Sequence, residues 1–126
     1  MVTSHFLYEE ECKSIISACF EVHNQLGYGF LESVYQEALC YEFLSRKVPF
    51  QKAKKLDIYY KDLKLEKFYI ADFICFDNII IETKAMDGIV DEHVSQVLNY
   101  LKATKLQLGL IINFGTPKVQ VKRVIL

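Results

Sequence analysis

The apolar positions first recur at helical spacing. From Tyr8 to Asn24 the side chains Ile15, Ile16, Cys19, Phe20 and Val22 follow a period of about 3.6 residues, which predicts a helix. Its first turn, Glu9-Glu10-Glu11, puts negative charge where the helix dipole favours it. Gly27-Tyr28-Gly29 interrupts the pattern. A second helix is predicted from about Phe30 to Lys47, with Leu31, Val34, Tyr35, Ala38, Leu39 and Phe43 on one stripe, and Val48-Pro49 stops it.

The pattern then changes to that of strands. Leu56–Tyr60 and Phe68–Phe76 read as two strands, and Ile79-Ile80-Ile81 opens a third that runs to about Ala85. Asp91–Ala103 returns to helical spacing through Val94, Val97, Leu98 and Leu101. Leu106–Phe114 is almost wholly apolar, as in a strand covered on both faces, and after Gly115-Thr116-Pro117 the segment Val119–Ile125 alternates. The order is α-α-β-β-β-α-β-β, with a β-α-β crossover between Ile79 and Leu106. The expected class is α/β, a mixed sheet flanked by helices on both faces.

Composition narrows this further. The chain has 126 residues, 52% apolar and 25% charged, enough for one domain over residues 1–126 with a buried core. A net charge of −1 excludes a bulk polycation, though not a local basic groove. No apolar run approaches the roughly 18 residues of a membrane span, and Met1–His5 lacks the basic-then-apolar pattern of a secretory leader. A soluble, cytoplasmic protein without membrane contact is expected. The cysteines Cys12, Cys19, Cys40 and Cys75 form no paired motif and read as free thiols in apolar surroundings.

Charge is unevenly spread. Residues 1–50 carry three Lys or Arg against seven Asp or Glu, whereas residues 51–70 carry six Lys against three acids. That basic island, which includes Lys52, Lys54 and Lys55, is interleaved with Tyr59, Tyr60, Phe68 and Tyr69. It suits a guarded strand edge or a surface that contacts phosphates, and the sequence leaves both open.

The candidate chemistry lies in the strands. Asp72 interrupts one apolar strand, and Glu82 and Lys84 interrupt the next, where charge is costly unless it is paired or bound to metal. Period two puts Glu82 and Lys84 on one face and Thr83 on the other. A two-residue turn at Asp77-Asn78 would set Asp72 opposite Thr83. A three-residue loop, Phe76-Asp77-Asn78, pairs Cys75 with Ile79 and sets Asp72 opposite Glu82. We expect the longer loop, with Asn78 taking the left-handed conformation it needs. Asp72, Glu82 and Lys84 then converge. Adjacent carboxylates repel, and a hard divalent ion would relieve them, but an Asp–Lys–Glu ion-pair cluster fits the same spacing.

An Asp followed ten residues later by Glu-x-Lys on the next strand resembles the PD-(D/E)xK nuclease superfamily. Gly29-Phe30-Leu31-Glu32-Ser33-Val34-Tyr35 narrows the resemblance to the GxxExxY protein family within it. Leu26-Gly27-Tyr28-Gly29, Gln96–Leu101 and Gly109–Gly115 also look like that family, so the likeness spans nearly the whole chain. It implies a restriction-endonuclease-like core, with Asp72, Glu82 and the Thr83 carbonyl oxygen as metal ligands and Lys84 as the catalytic lysine. It also implies that Glu32 is a further acidic residue near the metal and that Gln96 stands beside the site. Ala71 replaces the proline of the superfamily's name.

The residues themselves leave some of this open. Glu32 could point inward with Tyr35 as its neighbour, or serve as a helix N-terminal acid. His93, Gln96 and Tyr100 share one helix face, where His93 could contact a phosphate or be a satisfied helix histidine. Gly27 and Gly29 lack the Lys-Ser/Thr that follows a phosphate-cradling loop. The expected function is a Mg²⁺- or Mn²⁺-dependent nuclease acting on nucleic acid, expected to be DNA, by attack of a metal-activated water assisted by Lys84. Lys52, Lys54, Lys55 and His93 would contact the backbone, and a homodimer could form a joint groove. The alternative is a non-catalytic module that binds nucleic acid or a partner and keeps the fold.

Overall fold

A computed structural model describes residues 7–126, so the reading of Met1–His5 lies outside the described residues. The described residues form helices α1 (Glu9–Leu26), α2 (Glu32–Arg46) and α3 (Asp91–Thr104). The strands are β1 (Phe50–Tyr60), β2 (Leu63–Cys75), β3 (Ile79–Lys84), β4 (Leu108–Asn113) and β5 (Gln120–Ile125). The sheet runs β1-β2-β3-β4-β5; β3 and β4 are parallel and the other neighbours antiparallel. This is the expected α/β order and the arrangement of a restriction-endonuclease-like core.

The two faces of the sheet bury different residues of the same strands. Phe73, Cys75, Ile79, Ile81 and Leu110 pack beneath α1 and α2, against Ile15, Cys19, Tyr35, Leu39 and Phe43. Ile74, Ile80 and Ile111 point the other way, against Val97 and Leu101 of α3. The alternation along β3 is the period-two rule applied to a strand covered on both sides. The four cysteines are free; burial pushes the Cys75 thiol up to about 12 and Cys19 higher still, so both stay protonated and unreactive.

Two strands begin earlier than the apolar pattern predicts. β1 starts at Phe50 rather than Leu56, and β2 at Leu63 rather than Phe68. The added residues are mostly exposed and rich in lysine, and the hydrogen-bonded ladder rather than burial makes them strand. β1 is an edge strand, where lysines guard against pairing with other chains.

The β2–β3 turn has the expected register, with Cys75 opposite Ile79. The left-handed residues are Phe76 (φ 55°) and Asp77 (φ 61°), however, not Asn78. Phe76 is fixed there because its N–H donates to the Pro49 carbonyl at 2.9 Å. Asn78 instead closes the turn, its N–H donating to Cys75 O at 3.1 Å and its amide to Phe76 O at 3.0 Å.

Candidate active site

The β2–β3 ladder runs from Cys75↔Ile79 to Phe73↔Ile81 and goes no further. Beyond it, side chains take over from the backbone. The Asp72 N–H donates to Glu82 Oε1 at 2.9 Å, and the Thr83 N–H donates to Asp72 Oδ2 at 2.8 Å. Each strand's carboxylate therefore satisfies the other strand's amide, which holds the fork open while keeping both acids in place. Opposite Asp72 on the other side is Ala53, a non-glycine residue at φ 53° where the β1–β2 register skips a pair. Here β2 also changes faces, since Phe73 packs under α2 whereas Ala71 and Tyr69 pack under α3. Asp72 sits at the kink.

Both helical layers reach into this fork. From α2, the Gln36 amide donates to Thr83 Oγ1 at 2.9 Å and to Glu32 Oε1 at 3.2 Å, while the Thr83 hydroxyl donates to Asp72 Oδ2 at 2.8 Å. From β3 toward α3, Lys84 Nζ lies 4.0 Å from Glu82 Oε2 and donates to Gln96 Oε1 at 3.1 Å, and Gln96 donates on to the Tyr100 hydroxyl at 2.9 Å. A continuous polar chain thus crosses the sheet from α2 to α3 between two apolar cores.

The loop before α2 explains why Glu32 stands there. Gly27 (φ 70°) and Gly29 (φ 113°) turn the chain sharply after α1, in backbone conformations that side chains disfavour. Tyr35, fully buried and stacked 4.7 Å from Phe114, donates its hydroxyl to Gly27 O at 2.7 Å and accepts from Phe30 N–H at 3.3 Å. Gly29, Glu32 and Tyr35 therefore act together: a turn, an acid aimed at the fork, and a post that fixes the turn. Glu32 points inward, with Gln36 rather than Tyr35 as its hydrogen-bond neighbour. On the far side, the segment after Lys84 is held by Asn113, whose amide oxygen accepts from Met86 and Gly115 N–H and whose nitrogen donates to Met86 O. A Cβ on Gly115 would fall 2.2 Å from the Met86 nitrogen, so only glycine allows this approach.

A family model of the PD-(D/E)XK nuclease superfamily matches residues 9–124. The chain belongs to this superfamily. No curated protein and no solved structure matches it.

Nucleases of the PD-(D/E)XK superfamily generally use divalent metal ions, typically Mg²⁺, and nucleic acid is the substrate such a domain implies. The donor set at the fork suits a hard cation of this kind. Among the described residues, no three His, Cys, Asp or Glu side chains are already gathered as metal ligands. The carboxylates of Asp72 and Glu82, backed by Glu32, nevertheless share an oxygen-rich corner. Lys84 offsets their charge only in part. Burial, and then the charge of Asp72, pushes the Glu82 carboxyl up to about 8, and the same two causes raise that of Glu32. A divalent cation would reverse both effects.

The other expected contacts are scattered. Lys52 and Lys54 are exposed on β1 and flank Ala53, one strand over from Asp72. Lys55 lies 3.8 Å from Asp57 and 4.6 Å over the Phe68 ring. His93 caps its own helix, its Nδ1 accepting the Val90 N–H at 3.1 Å, and burial followed by the Lys84 charge lowers its pKa. Gln36 joins Glu32 to Thr83, and its one signal in the sequence is the four-residue spacing from Glu32 on the helix.

Proposed function

We propose that the protein is a metal-dependent phosphodiesterase that cuts nucleic acid, with DNA the expected form, and that it belongs to the GxxExxY branch of its superfamily. The observation that carries this reading is the fork. Asp72, Glu82 and Lys84 meet at the one place where β2 and β3 exchange backbone pairing for carboxylates, at a cost in buried charge that a purely structural strand pair would avoid. Asp72, Glu82 and the Thr83 carbonyl oxygen would hold Mg²⁺ or Mn²⁺, with Glu32 behind them. Bound there, the cation supplies charge neutralisation at the scissile phosphate and acidifies water.

This chain's own groups do the rest. Lys84, held by Gln96 with its ammonium beside Glu82, orients the attacking water and stabilises the negative charge that develops on the phosphate. The Gln96–Tyr100 hydrogen bond fixes the amide so that its oxygen faces Lys84. Burial, and then the charge of Glu82, pushes the Tyr100 hydroxyl up to about 12, so it stays a neutral partner. Lys52, Lys54, Lys55 and His93 are the proposed backbone contacts, which predicts binding that weakens steeply with salt. A homodimer would widen the groove; exposed Leu63, Leu65 and Phe68 on β2 are a surface available for it, and light scattering after size exclusion tests it.

The test is cleavage of a mixed panel of labelled DNA and RNA with Mg²⁺ or Mn²⁺, wild type beside Lys84→Ala and Asp72→Ala. Metal-dependent cuts lost in both variants are expected. Absence of cleavage by wild type, with nucleic acid still bound, would favour the non-catalytic module instead.

A further inference from the structure

Next to Lys84, α3 and β2 border an open cleft of about 440 Å³, most of whose lining the catalytic reading leaves unused. Gln96 joins the two, since it accepts from Lys84 Nζ at 3.1 Å and also lines the cavity. Tyr69 and Tyr100 contribute aromatic surface, their rings 5.2 Å apart and tilted by 38°, and Asn99 contributes a second amide. Asp91, Glu92 and Ser95 complete the lining. Two carboxylates repel a phosphate. With the amides, however, they offer acceptors and donors to the edge of a planar ring that bears N–H groups.

A second cavity of about 500 Å³ shares Tyr69 and Asn99 with the first. Its charge is reversed: Lys61, Lys102 and Lys105 line it beside Tyr59. An acidic, amide- and tyrosine-lined space thus gives way directly to a basic one, with a tyrosine at the boundary. That sequence matches the chemistry of a nucleotide, whose base is a flat donor–acceptor ring and whose linkage is anionic.

We infer that these paired cavities hold an unpaired nucleotide beside the scissile phosphate, its base stacked on Tyr69 in the first cavity and the adjoining backbone phosphate on Lys61, Lys102 and Lys105 in the second. The inference rests on the nuclease reading and deepens it by naming the substrate class. A base inside a duplex is already stacked and paired, so its face and edge are not free to enter such a space. The strand path runs from the carboxylates past Lys84 and Gln96 to Tyr69 and out over the lysines. The preferred substrate is therefore single-stranded, or carries an unpaired segment at the cut.

Fluorescence anisotropy in EDTA tests this with three labelled probes: a short DNA single strand, the blunt duplex of the same sequence, and the same strand made abasic. Stacking of one base on an aromatic ring predicts roughly tenfold tighter binding of the intact strand than of either other probe. Tyr69 is half-buried on β2, so Tyr69→Leu keeps apolar packing toward α3 while removing the ring, and should abolish that preference without weakening the duplex. Lys102→Glu should weaken the intact and abasic strands alike, by about threefold to tenfold, through the lost phosphate contact. Equal or tighter binding of the duplex, or an unchanged preference in Tyr69→Leu, would overturn the inference. The two readings fail separately. Mg²⁺-dependent cleavage without strand preference would sink the cavity site alone. A Tyr69-dependent preference without cleavage in Mg²⁺ or Mn²⁺ would sink the nuclease reading and keep the nucleotide site.

Discussion

The β2–β3 pair has two ends built on opposite principles. At the turn, backbone pairing joins Cys75 to Ile79 and Phe73 to Ile81, and these four side chains are apolar and fully buried. Phe73 alone packs against the rings of Phe43 and Phe50, 5.5 and 5.9 Å away. A single residue further on, the same strands are held by Asp72 and Glu82, with Lys84 beside them. The turn end stabilises the fold. The fork end does the reverse, since it gathers like charges in a place where only 3% of Glu82 reaches solvent. That contrast teaches where function is to be sought: at the residues whose arrangement costs stability.

Substitutions should separate the two ends. Phe73→Ala should be the most damaging, costing about 3–5 kcal/mol by leaving a cavity among Phe43 and Phe50, and chemical denaturation measures it. Gly115→Ala comes next at about 1–3 kcal/mol, because its Cβ meets the Met86 backbone and must displace the segment that follows Lys84. Its Tm should fall, and cleavage should fall with it.

The fork should respond with the opposite sign. The Glu82 carboxyl titrates at about 8 in the folded protein against an ordinary value of 4.5. Within that window the folded state keeps a proton that the unfolded state has lost, so the metal-free protein should lose stability as pH rises from about 5 to 8. Glu82→Gln removes this burden and should raise stability at pH 8 by about 1–2 kcal/mol. Mg²⁺ should raise the Tm of wild type more at pH 8 than at pH 5.5, because proton and cation compete, and should not raise that of the variant. A Tm that climbs with pH in EDTA would refute the raised Glu82 carboxyl. The smallest effect expected is Tyr35→Phe, which loses the hydroxyl bonds to Gly27 and Phe30 at a cost of about 1 kcal/mol and lets the turn before Glu32 loosen.

Much of this arrangement can be read from the chain before the structure. The run Ile79-Ile80-Ile81 and the spacing of Val94, Val97 and Leu101 are strong periodic signals, and both elements appear with nearly the expected bounds. Acidic and basic residues within apolar strands marked Asp72, Glu82 and Lys84. The first half of β1 and of β2 carries no such signal, because exposed lysines alternate with nothing buried and only cross-strand pairing makes them strands. Phe76 rather than Asn78 turns left-handed because a distant carbonyl, that of Pro49, captures its N–H. The roles of Ala53 and Gln36 depend likewise on partners far along the chain, to which local pattern is blind.

The most direct test of the central claim is the Mg²⁺-dependent cleavage rate of Asp72→Asn beside wild type, in one buffer, on the preferred strand from the panel. The substituted amide would keep the shape of the fork and lose its charge. The account therefore predicts a folded protein, with a Tm equal to or above that of wild type, whose rate falls by about 10²–10³-fold. A folded Asp72→Asn protein that cleaves at the wild-type rate would contradict it, and the fork would then be a structural ion-pair cluster.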